Sequence, residues 1–102
     1  MKIIQEMTDN IMEEVADAKK YAKLALHYKE TEPEAAETFY GLSREEIDHM
    51  NKLHARVVVL IQKYRKEHGE PPASMLAVYD YLHDKYMECA AEVKRYQALY
   101  NA

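Results

Sequence analysis

The sequence predicts an all-α protein, a three-helix up-down-up antiparallel bundle in one domain spanning residues 1–102, and three observations predict it. Glycine and proline number only two and three among 102 residues, and most of them fall in two short breaks. Between the breaks, apolar residues recur at spacings of three and four, the period of a helix with one buried face. The connections are short, which makes helices that follow one another in the chain antiparallel neighbours.

The first helix is predicted from about residue 2 to 29. Its apolar seam is Ile4, Met7, Ile11, Glu14, Ala18, Tyr21, Ala25 and Tyr28, with one charge in it, while Glu13, Asp17, Lys19, Lys20 and Lys23 form a solvated remainder. The break at Glu30–Glu34 contains Pro33, suited to the first turn of a new helix, and Thr31 with Glu34 at the spacing of a capping box.

The second helix is predicted from about residue 33 to 68, stopped by Gly69, with His68 complementing the negative end of the dipole. Its seam is Ala36, Phe39, Ser43, Glu46, Met50, Leu53, Val57, Leu60 and Tyr64, again with a single charge. Gly41 inside it implies either a tolerated cost or a close neighbour. Val57–Ile61 is apolar on all sides, and two neighbours in so small a chain hardly cover it, which points to a partner subunit.

The third helix is predicted from about residue 74 to 100, with Ser74 as its N-cap. Its seam, Met75, Tyr79, Leu82, Tyr86, Cys89, Val93, Tyr96 and Tyr100, carries no carboxylate. The tyrosines read as packing groups, since a ring with a polar tip suits a bundle surface or interface.

Composition excludes several classes. A formal net charge of −4 leaves no basic face for nucleic acid. The longest apolar run is far too short to span a bilayer, and Glu6 and Asp9 interrupt any leader-like segment. The single cysteine, Cys89, can form neither an internal disulfide nor a cysteine-based metal site, and a reducing, cytoplasmic location is expected.

The two seam carboxylates carry the chemistry. Burying a lone carboxylate costs several kcal/mol unless a partner compensates. Glu46-x-x-His49 places a carboxylate and an imidazole on one helix face, within reach of one metal ion. At a rise of roughly 1.5 Å per residue, Glu14 and Glu46 lie ~24 and ~20 Å from the hairpin turn, within one helical turn of each other. Glu14, Glu46 and His49 are therefore the candidate metal ligands, with Asp17 and Glu45 nearby but off the seams. Oxygen and nitrogen donors of this kind suit iron or manganese, with zinc possible. A di-metal carboxylate centre takes a glutamate from each of two helices and Glu-x-x-His from each of two others; this chain has half, and a two-fold homodimer would supply the whole.

Glu14 followed by Tyr21 resembles the first helix of rubrerythrin-type members of the ferritin-like superfamily. Phe39-x-x-Leu42-x-x-Glu45-Glu46-x-x-His49-Met50 is similar to their second helix. The resemblance covers roughly residues 10–55. It implies a di-iron (or di-manganese) site ligated by Glu14, Glu46 and His49, Tyr21 as a supporting hydrogen-bond donor, and ferrous oxidation by oxygen or peroxide. Small single-motif relatives, such as encapsulin-associated ferritins, build that site across a dimer, some within a protein shell. The chain departs from full-length members in lacking a second Glu-x-x-His, a fourth helix and a Cys-x-x-Cys domain; Glu88 and Glu92 of the third helix lie off its seam.

Two other readings stand beside this one. Glu46 can pair with Arg56 or Lys20 and His49 can be an interface histidine, leaving a non-catalytic helical assembly module without metal. A mononuclear zinc hydrolase would need a general base and a substrate pocket that no residue pattern supplies. His27, His54, His68 and His83 are expected at the surface or rim.

Overall fold

The computed structural model describes residues 2–102, and every described element is helical: α1 (Lys2–Tyr28), α2 (Pro33–His68) and α3 (Ala73–Tyr100). The 36 residues of α2, at about 1.5 Å each, account for the 55 Å long dimension of a molecule only 19 by 18 Å across. No described helix is long and apolar enough to cross a membrane.

The helix ends follow backbone chemistry more than side-chain caps. Pro33 opens α2 as expected, but its N-cap is Glu32, with no side-chain capping bond. The predicted Thr31–Glu34 capping box is not formed: Glu32 N–H is held by Tyr28 O at 2.8 Å, so the turn closes onto the end of α1. Ser74 is likewise not the cap of α3. Pro72, with φ −54° and ψ 143°, holds that place, and its carbonyl accepts from Met75 and Leu76 N–H. A proline already in the extended conformation presents its carbonyl to the first turn, so no hydroxyl is required. Gly69 ends α2 with φ +79°, a conformation that glycine adopts freely, and donates to Arg65 O.

α1 is the helix on which the other two pack; α2 and α3 touch each other sparsely. Against α2, rising numbers in α1 meet falling ones: Glu14 with His49, Ala18 with Ser43, Tyr21 with Phe39. Against α3 both rise together: Val15 with Cys89, Lys19 with Glu92, Lys23 with Tyr96. Because two helices press on α1 from adjacent directions, its buried stripe lies between them. Thr8, Val15 and Ala22 are fully buried, and the expected seam residues Met7, Glu14, Tyr21 and Tyr28 fall on its half-buried flank. The core is Ile4, Ile11, Val15, Ala18, Ala22, Ile47, Met50, Val57, Tyr86, Ala90 and Val93.

Ser43 ties all three helices. Its hydroxyl donates to Ala18 O at 2.7 Å and accepts from Gln97 Nε2 at 3.0 Å. Gly41 has nothing within 4 Å of where a Cβ would stand, so it is tolerated in α2 and no neighbour in the chain needs the space. Val58 and Val59 stay 37% and 47% exposed, so the apolar girdle of α2 is not closed by this chain alone.

Candidate metal centre

Glu14 comes from the middle of α1, and Glu46 and His49 from the first half of α2, one helical turn apart on one face. Across the hairpin, His49 Nδ1 lies 3.5 Å from Glu14 Oε2 and 3.8 Å from Glu46 Oε1. One donor atom from each of the three lies within 4.8 Å of the others, a spacing a single cation can bridge. They form the one such group of three or more His, Cys, Asp and Glu side chains among the described residues.

The site is graded in burial. Glu46 is 18% exposed, Glu14 29% and His49 52%, so the carboxylates are drawn toward the core while the imidazole stands at the surface. The ion pair expected for Glu46 with Arg56 or Lys20 is not made; Lys20 lies over the Tyr21 ring, and among the described residues the ionic contact of Glu46 is His49. Two carboxylates and one imidazole carry surplus negative charge, and among the described residues no lysine or arginine lies within ion-pairing distance of them. The donor set therefore fits a divalent cation of the iron or manganese type.

The supporting residues are not drawn in. Asp17 and Glu45 are exposed on the outer faces of their helices. Tyr21 is half-buried and stacks on Phe39 with ring centroids 6.2 Å apart, so its packing role is filled whether or not its hydroxyl serves the site. Glu92 is spent on Lys19 at 2.7 Å, which holds that carboxyl below its usual range and raises the lysine. The thiol of Cys89 packs beneath α1 toward Val15 O, and burial pushes its pKa up.

α3 packs on the side of α1 that carries Val15 and Lys19, whereas Glu14 of the same helix meets His49 of α2. Half-buried apolar residues lie along the hairpin before and after these positions: Met7 and Tyr21 of α1, and Phe39, Leu42, Leu53 and Leu60 of α2, of which Met7, Leu53 and Leu60 pack against the core. A groove of about 610 Å³ lies elsewhere, lined by Ile4, Ile61, Met75, Leu76 and Leu82, and it is mainly apolar.

One constellation escaped the sequence reading. Tyr86 is fully buried, and His54 and His83 stand edge-on to it at ring-centroid distances of 5.9 and 5.1 Å. The two histidines are half-buried at the edge of the α2–α3 seam, within the surface or rim position expected of them, but the cluster they form with Tyr86 was not anticipated. The signal available was His83 three residues before a seam tyrosine, on the same face.

Family models, curated proteins and solved structures give no match to this chain.

Proposed function

We propose that the chain is a ferritin-like metal-binding protein, and that Glu14, Glu46 and His49 hold one metal of a di-iron (or di-manganese) carboxylate pair shared between two copies. The observation that carries this reading is the convergence of three metal-ligating side chains from two helices with donor atoms within 4.8 Å. The two glutamates would neutralise the cation and His49 would fix its position, leaving open positions toward the second copy. Bound iron would supply electron exchange with oxygen or peroxide, which makes ferrous oxidation, iron handling or peroxide defence the reaction class. An up-down-up arrangement of the helices is supported by the opposed numbering of the α1–α2 contacts and the matched numbering of the α1–α3 contacts.

Three ligands leave a carboxylate-rich pair half built, and α3 supplies none of them. A second copy related by a two-fold axis would cover the half-buried apolar residues on both sides of the site and bring its own three ligands alongside. The oxidant would be small, oxygen or peroxide.

Anaerobic Fe(II) titration of the metal-free protein tests the reading. Saturation near one iron per chain, followed by a ferric near-ultraviolet band on admitting air, is the expected result. No uptake, or uptake equal in Glu46→Ala, would instead leave a helical assembly module without metal.

A further inference from the structure

The α2–α3 seam is thin. At one end it is held by Tyr40 stacked on Tyr100 and bonded to Asn101, with Gln97 on Ser43. Farther along α2 it is held by a cluster of rings, in which His54 meets His83 at 5.5 Å and both meet the buried Tyr86. Tyr79 extends the cluster at 6.1 Å from His83. The Tyr86 hydroxyl is buried with no hydrogen-bond partner, and the carboxylate nearest the cluster is the exposed Asp84, 3.8 Å from His83.

We propose that this cluster is an acid-sensitive latch: protonation of His54 beside His83 loosens α3 from α2 while leaving the α1–α2 hairpin paired. The chemistry is local. A neutral imidazole packs against phenol edges at little cost, whereas an imidazolium there loses hydration and faces a second imidazole ring. Burial, followed by the proximity of His83, holds His54 below the ordinary histidine range.

The groups around His54 are few. On α3 they are His83, Tyr86 and Tyr79, with the exposed Asp84 at 3.8 Å from His83 drawing that ring outward. Asp80 lies with Val58 and Arg65 along the neighbouring α2–α3 cleft. On α1, Ile11 belongs to the core cluster that holds Tyr86, the buried Thr8 hydroxyl is committed to Ile4 O, and Asp9 lines the groove shared with Tyr79. On α2 the residues one turn away, Met50 and Val58, carry no charge.

The sign follows from the lowered pKa. His54 keeps its proton less well folded than unfolded, so its contribution is intact above the unfolded value and is lost as pH falls from there toward the lower folded value. The test is urea unfolding of the full, chelator-treated chain at about pH 7.5 and about pH 5.5, which bracket the ordinary histidine value. A lower midpoint in acid is expected, with the difference at least halved in both His54→Gln and His83→Gln. Hydrogen exchange, corrected for its intrinsic pH dependence, should then show residues 76–90 losing protection before residues 11–22. An acid shift of the same size in both variants, or protection lost evenly across the three helices, would overturn the latch.

Discussion

Ser43, Glu46 and Tyr86 are polar residues in otherwise apolar stripes, and each is resolved differently. Ser43 is satisfied twice, by Ala18 and Gln97, so Ser43→Ala leaves the Gln97 amide without its partner and should cost about 1–2 kcal/mol in urea unfolding. The hydroxyl of Tyr86 has no partner at hydrogen-bonding geometry among the described residues, and burial, followed by neighbouring Tyr79, drives its pKa far above the phenol range. Tyr86→Phe removes that debt at constant shape and should raise stability by about 1 kcal/mol; a loss would mean that the hydroxyl has a partner. Glu46 is 18% exposed and has His49 and Glu14 as its company. Glu46→Gln keeps its shape and removes a ligand charge. Losing a mere supporting partner weakens a metal site by 10–100-fold, so the loss of a ligand should weaken Mn(II) or Fe(II) binding by more than ~100-fold. An affinity within threefold of the parent would remove Glu46 from the site.

Among the elements, the helices were legible because their signals are local. Apolar period, scarce glycine, Pro33 and Gly69 set ranges that the structure meets within a residue at each end. Caps were less legible, since Thr31 and Ser74 have suitable side chains, but Glu32 and Pro72 reach the first turns through their own backbones. The buried stripe of α1 was displaced for a tertiary reason: a heptad seam describes one neighbour, and α1 has two. That displacement moves Glu14 from an assumed core position to a flank, which is why His49 stands 52% exposed and the site faces outward. Gly41 offers a test at this scale. With open space at its Cβ and ordinary helical backbone, Gly41→Ala should raise stability by about 0.5–1 kcal/mol. A destabilised variant would show that a second chain approaches the glycine.

At the scale of the whole molecule, the chain is a narrow rod with α1 at its centre and the other two helices packed mainly on it. The level at which Glu14 meets Glu46 and His49 was readable from helix rise alone, because an antiparallel hairpin converts residue number into depth. Nothing comparable told which side of α1 would receive α3; that choice rests on Lys19 with Glu92, on Cys89 under Val15, and on small Ala18 and Ala22, whose spacing gives no direction. Nor did any pattern in single residues mark His54 and His83 as neighbours, since they lie on different helices.

The central claim is that two copies share one pair of metals. Sedimentation velocity of the metal-free protein with and without anaerobic Mn(II) addresses it directly, because a cation bound between two chains must strengthen their association by linkage. The account predicts a shift toward the dimer at about one Mn(II) per chain, abolished in Glu46→Gln. Mn(II) bound without any change in sedimentation, or the same change in Glu46→Gln, would contradict it.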